Sequence, residues 1–135
     1  MKKIEIKTNK APKAVGPYSQ GVRMGNFIYL SGQIGVDPNT GELQSKSIKK
    51  ETEQVLNNIR AVLKESKADL EDVVRVDIFI TDMKNYAEVN EIYGKYFSEG
   101  VRPARLTVEV SKLPKDANIE ISCIAYIDYD KFCDC

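Results

Sequence analysis

The sequence predicts an α+β fold, a mixed β-sheet with two helices on one of its faces, in the order βββαβαββ. Three observations carry the prediction. Two stretches repeat their apolar residues with the helical period, several others alternate or run almost continuously β-branched, and no linker, low-complexity run or repeat separates them.

The elements follow in order. "KIEIK" reads as a short strand, and "NKAPKAVGPYSQG" is a long loop rich in Gly and Pro. "VRM" and "FIYLSGQ" flank Gly25 and Asn26, a two-residue hairpin signal. After the loop "DPNTGEL", from about Ser47, the apolar positions Ile48, Val55, Leu56, Ile59, Val62 and Leu63 form the stripe of a helix of about five turns. "DVVRVDIFI" is nearly continuous and β-branched, as in a strand inside a sheet, and Asp82 can cap the next helix. That helix carries Tyr86, Val89, Tyr93, Tyr96 and Phe97, an aromatic stripe read as core and not as a platform for stacked bases. The closing strands "ARLTVEV" and "IEISCIAYI" are joined by "SKLPKDAN". A simple hairpin pairing Ser111 with Asn118 sets Arg105 opposite Ile124 and leaves Glu120 roughly 13 Å away along the strand.

Two of these strands also divide their residues between faces. In "RPARLTVEV", Leu106, Val108 and Val110 mark the face expected to be buried, and Arg105, Thr107 and Glu109 share the other. In the last strand Ile119, Ile121, Cys123, Ala125 and Ile127 point one way, and Glu120, Ser122, Ile124 and Tyr126 the other. The second sheet face is therefore mixed, a poor monomer surface and a reasonable subunit interface, so a homo-oligomer is expected.

At 135 residues the chain suits one domain over 1–135, with about 129–135 a short tail. Twenty basic residues balance twenty acidic ones, so no global charge draws the chain to nucleic acid or to an anionic membrane, and neither partner is expected. No segment approaches the length needed to span a bilayer, and two N-terminal lysines lack an apolar run behind them; we expect a cytoplasmic protein. Of three cysteines, Cys123 falls in a strand pattern and reads as core. Cys133 and Cys135 read as part of a solvated tail, since two thiolates do not complete a tetrahedral metal site. The chain has no histidine, which excludes Ser-His-Asp triads, histidine-ligated metals and histidine acid-base pairs.

Three places hold polar residues beyond structural need: Tyr18 in "GPYSQG", Ser31 and Gly32 in "LSGQIG", and Arg105 with Glu120 in the closing strands. Each has a plain alternative. Tyr18 can pack beside Pro17, Ser31 can cap local backbone, Gly32 can mark a bulge, and Arg105 with Glu120 can be a salt bridge. The chemistry they permit is narrow. An arginine grips a carboxylate with a planar fork, and a glutamate can hold and polarise a water. With no cofactor motif and no metal site expected, such a pair serves a substrate that is already reactive, such as the imine of a 2-amino acid, which water converts to a 2-keto acid and ammonia.

The sequence resembles the reactive-intermediate (Rid) deaminases, also called YjgF-like proteins, over nearly its whole length. The resemblance is carried by "GPYSQG", "FIYLSGQIGVDPNTGEL", "TEQVLNNIRAVL", "DVVRVDIFITDM", "VNEIYGKYF", "RPARLTVEVSKLP" and "IEISCIAY". It implies a chorismate-mutase-like fold and a homotrimer with clefts between subunits. It implies a cofactor-independent 2-iminobutanoate/2-iminopropanoate deaminase acting on intermediates such as 2-aminoacrylate. In that likeness Arg105 binds the substrate carboxylate, Glu120 handles the water, and Tyr18, Ser31 and Gly32 line the cleft. Position 107 is often cysteine in the family and is Thr107 here, where a hydroxyl can still hydrogen-bond the substrate. Leu106 is bulkier than the residue usual there, but alternation points it away from the site.

Two rival functions remain open to the sequence. One is an endoribonuclease or translation inhibitor, against which zero net charge and the absence of histidine weigh. The other is a non-catalytic sensor of small carboxylates, using the same arginine without turnover.

Overall fold

A computed structural model describes residues 2–132; Cys133 and Cys135 lie outside the described residues. The elements are β1 (Ile4–Ile6), β2 (Gly21–Met24), β3 (Phe27–Ile34), α1 (Ile48–Glu65), β4 (Val73–Ile80), α2 (Tyr86–Tyr96), β5 (Ala104–Glu109) and β6 (Ile119–Tyr126). The expected element order is the one found. The six strands form one sheet in the order β1-β2-β3-β6-β4-β5, in which β4 and β5 run parallel and the other neighbours antiparallel. No helix among the described residues is long and apolar enough to cross a membrane.

Local chemistry sets the element ends. Gly25 and Asn26 turn the β2–β3 hairpin, with Met24 opposite Phe27. Ser47 caps α1 by accepting from the Lys50 N–H, and Asp82 accepts from the Lys84 N–H to start the short 3-10 turn that leads into α2. Val55, Leu56, Ile59, Val62 and Leu63 of α1 are buried against Ile78, Ile119, Ile121 and Ala125 of the sheet, so one face of the sheet is the core. Val89 and Tyr93 of α2 and Phe97 just past its end join that core, as expected, but Tyr86 does not: it stands at the first turn of α2, 40% exposed, beside the edge strand β5.

The closing hairpin is absent. Ser111 and Asn118 do not pair, and β4 lies between β5 and β6, so Arg105 sits opposite Val76 and not opposite Ile124. The reason is the connection through α2, a crossover that returns the chain to the same end of the sheet and makes the next strand parallel. The apparent hairpin loop instead carries the chain past the end of β4. It bends through Lys115 and Asp116, both with φ of 56°, and Thr81 N donates to Asn118 O at 3.1 Å.

Strand alternation in β5 holds, but its expected burial is reversed. Leu106 and Val108 lie on the sheet face that no helix covers, 36% and 40% exposed, beside Asp77 and Phe79 of β4. Arg105 and Thr107 lie on the helix side, in rows with Val76 and Ile78. A row of paired residues projects to one face, so these rows fix where each candidate side chain can work.

Candidate active site

Arg105 is built into the contact between β5 and α2. The α2 residues Tyr86, Asn90 and Tyr93, spaced four and then three apart, make one helical stripe facing it. The Arg105 Nη2 donates to Asn90 Oδ1 at 2.7 Å and to the Tyr86 hydroxyl at 3.2 Å, and its guanidinium carbon lies 4.7 Å from the Tyr93 ring centroid. Glu109, two turns of the pleat further on, accepts from the Met83 N–H at 2.9 Å and ties the approach to α2 onto β5. The contact with Asn90 and the adjacent Arg105 charge hold the Tyr86 phenol below its ordinary pKa, whereas burial pushes Tyr93 up to about 12. The hydroxyl of Thr107 is buried here with no hydrogen-bond partner, a donor left for a ligand or a water.

Glu120 stands elsewhere, on the open face of the sheet in a row with Phe79 of β4. No ion pair engages it among the described residues. Burial alone raises its carboxyl pKa above the ordinary value. Beside it the β3–β6 register shifts between Leu30 and Gln33, so Ser31 and Gly32 form a bulge. The lack of a side chain at Gly32 leaves room for the carboxylate: a Cβ at that position would lie 2.6 Å from Glu120 Oε1 and force it to move. Ser31 Oγ donates to Ser19 O at 2.6 Å and Ser31 N to Gln20 O at 3.0 Å, which fastens the loop bearing Tyr18 to this bulge. Tyr18 itself is half-exposed, its hydroxyl accepting from Val15 N.

The six candidates thus fall into two groups. Tyr18, Ser31, Gly32 and Glu120 gather at the β3–β6 bulge, and Arg105 and Thr107 lie under α2. Arg105 and Glu120 face opposite sides of one sheet, two strands and three rows apart, roughly 14 Å between their backbones. They form no salt bridge within a chain, which removes that plain alternative. A hollow of about 470 Å³ between Arg60, Asp69, Tyr96 and Arg102 contains neither. No three His, Cys, Asp or Glu side chains converge as metal ligands among the described residues.

Comparison with known proteins places the chain. The family model described as Endoribonuclease L-PSP matches residues 8–127. A RutC family protein of Pyrococcus abyssi is 51% identical over 126 residues, covering 93% of this chain and 98% of that protein. The crystal structure of YyfA from Yersinia pestis, described as a conserved Rid family protein, superposes with a TM-score of 0.91 at 47% identity, covering 93% of this chain and 100% of that one. The chain belongs to the Rid family. Among its Rid relatives the chloroplastic Reactive Intermediate Deaminase A of Arabidopsis thaliana is 47% identical over 125 residues, 93% of this chain and 66% of that protein. The two helices and mixed six-stranded sheet are thus the Rid fold, chorismate-mutase-like as the sequence resemblance implies.

Several residues that matter here escape a reading of the sequence. Asn90 looks like any polar helix residue, and only its spacing from Tyr86 and Tyr93 hints at a shared face. Glu51 is fully buried in α1 and accepts from Asn118 N at 2.7 Å, Asn118 Nδ2 at 2.9 Å and Ile119 N at 3.1 Å, which fixes the start of β6 one residue before Glu120. Gln20, also buried, accepts from Thr8 N at 2.7 Å and donates to Pro12 O at 2.8 Å, folding the long loop that carries Tyr18. A buried glutamate among surface-type helix residues carries no signal in composition; the contact partner lies 67 residues away.

Proposed function

We propose that this Rid protein is a 2-imino acid deaminase whose site is completed between subunits of a homotrimer. The single observation that supports this reading is the placement of Arg105 and Glu120 on opposite faces of one sheet. Two half-sites that cannot meet within a chain can meet when the β5–α2 edge of one subunit lies against the open face of the next. That open face presents Phe27, Tyr29, Leu106, Val108 and Tyr126 part-exposed, an apolar surface suited to burial between copies.

In the assembled cleft Arg105 grips the substrate carboxylate, with Thr107 offering its unpaired hydroxyl. Glu120 of the neighbouring copy holds a water and takes its proton as the water oxygen bonds to the imine carbon. The carbon–nitrogen double bond becomes single, and the electron pair goes to nitrogen. The proton held by Glu120 passes to nitrogen; Glu120 then takes the proton of the new hydroxyl and gives it to the amine, the carbon–oxygen bond becomes double as the carbon–nitrogen bond breaks, and ammonia leaves a 2-keto acid. Gly32 and Tyr18 border the water side. Substrates of this kind include 2-iminobutanoate, 2-iminopropanoate and its enamine 2-aminoacrylate, and no cofactor takes part.

A coupled assay tests the activity: a pyridoxal-phosphate-dependent dehydratase generates 2-aminoacrylate from serine, and pyruvate should appear faster when this protein is present. Light scattering should give about three times the 15.2 kDa chain mass. Subunit mixing tests the shared site. Arg105→Ala and Glu120→Gln chains, each strongly impaired alone, should regain activity in about one quarter of the sites when co-assembled, because a mixed interface can pair one intact Arg105 with one intact Glu120. Failure of mixed trimers to regain any turnover overturns the shared cleft.

A further inference from the structure

We infer that Tyr86 is a second ligand for the substrate carboxylate, its hydroxyl turning from acceptor of an Arg105 proton to donor towards the carboxylate. The inference rests on the reading that Arg105 is the carboxylate anchor. It begins from the protons of that guanidinium. An arginine can grip a carboxylate along two of its edges, and Nη2 belongs to both. Nη2 has two protons, and two acceptors hold it in this protein, Asn90 Oδ1 at 2.7 Å and the Tyr86 hydroxyl at 3.2 Å. A forked grip on a carboxylate therefore requires one of these bonds to give way.

The two bonds are unequal. The Asn90 bond is short and part-buried, made by an amide packed within the helix stripe; the Tyr86 bond is long and exposed. The Tyr86 bond is the one an entering carboxylate oxygen replaces. Asn90 has no proton on its bonded oxygen and can only accept there, but a phenol both accepts and donates. An oxygen that takes the place of the Tyr86 hydroxyl on Nη2 lies within reach of the phenolic proton, so the displaced group becomes a further donor to the ligand. Tyr86 is held at that position from both sides, by the first turn of α2 and by the Met83 N–H bond to Glu109 on β5. The Arg105 charge and the Asn90 contact that lower the phenol's pKa also make it a stronger donor.

The test is the affinity of 2-ketobutyrate for the parent and for Tyr86→Phe, measured by titration calorimetry, with thermal midpoints recorded on both. Loss of one hydrogen bond to a charged ligand should weaken binding about ten- to hundredfold while the midpoint stays within experimental error. Equal affinity overturns the inference, and tighter binding overturns it too, since Tyr86 would then be only a competitor for Nη2. A parent that binds no 2-keto acid removes the anchor reading and this inference together, whereas a parent that binds with Tyr86→Phe unaffected removes this inference alone.

Discussion

The two polar regions of the molecule are prepared in opposite ways. Under α2, Arg105 is held by Asn90, Tyr86 and the Tyr93 ring before any ligand arrives, so a cation is aimed in advance. At the β3–β6 bulge, Glu120 is partly desolvated, free of ion pairs among the described residues, and confined by the space that Gly32 leaves. The first arrangement suits binding, where preorganisation lowers the cost of ordering. The second suits proton transfer, where a carboxylate with a raised pKa is a stronger base. Within one chain the two regions are thus separated by the thickness of a sheet.

The comparison is broken most directly at Glu120. Glu120→Gln should lower turnover by about 10² to 10⁴ fold while 2-keto acid affinity stays near that of the parent. The same change should raise the thermal midpoint at neutral pH. Because burial raises the folded carboxyl pKa above its unfolded value, the folded chain holds the proton over a window where the unfolded chain has lost it. Stability therefore falls as pH rises through that window, and the loss persists above it. Activity runs the other way, failing on acidification at a higher pH than an exposed glutamate would set. A midpoint that drops in Glu120→Gln would show that the carboxylate is held by structural bonds instead.

Arg105→Ala attacks the other region and should cost at least one to two decades in both 2-keto acid affinity and turnover, since each charge-assisted bond contributes about 1.5 to 3 kcal/mol. Arg105→Lys should recover only part of that loss, because an ammonium has no planar fork. Affinity and turnover must fall together here, unlike at Glu120; calorimetry and rates on the same preparations separate the two patterns.

Gly32→Ala sharpens the contrast with a single methyl group. Its Cβ would meet Glu120 Oε1 at 2.6 Å and Cδ at 2.9 Å, the far end of a flexible side chain, so the fold can adjust but the carboxylate must move. Turnover should fall about tenfold with little change in midpoint, the usual consequence of a misplaced base. Parent-like turnover in this variant would mean that the observed position of Glu120 is not the working one.

The smallest effect is expected at Thr107. Thr107→Val removes a buried hydroxyl that has no partner, so the thermal midpoint should hold or rise by the equivalent of about 1 kcal/mol. Affinity for 2-keto acids should fall at the same time. A stability loss instead would assign the hydroxyl to an unseen structural bond.

Much of this was legible in the sequence, because it depends on local patterns. Helical periods gave α1 and α2, the alternation in β6 gave its two faces, and the β-branched run of β4 marked an interior strand, which it is, between β6 and β5. The failures were failures of long-range pairing. "SKLPKDAN" has the composition of a hairpin loop, and no residue in it announces that a third strand occupies the space between its ends. A hairpin there gives Arg105 the wrong neighbour, and the burial expected of Leu106 and Val108 is reversed because alternation identifies two faces without saying which one the helices cover. Tyr86 reads as core for a related reason: it shares the helical spacing of Tyr93 but stands beside the edge strand β5, 40% exposed.

The place of β6 in the sheet also bears on how the chain is made. It is the last of the six strands to be synthesised, yet it lies fourth from one edge and third from the other, between β3 and β4. Until Ile119–Tyr126 has emerged from the ribosome, the nascent chain carries two separate sheet fragments, each with an unpaired edge of β-branched and aromatic residues. Folding has to wait for the carboxyl-terminal segment to zip both fragments together, and a chain that stops short of it has exposed strands and no centre. Such a topology puts the burden of solubility during synthesis on the first 118 residues.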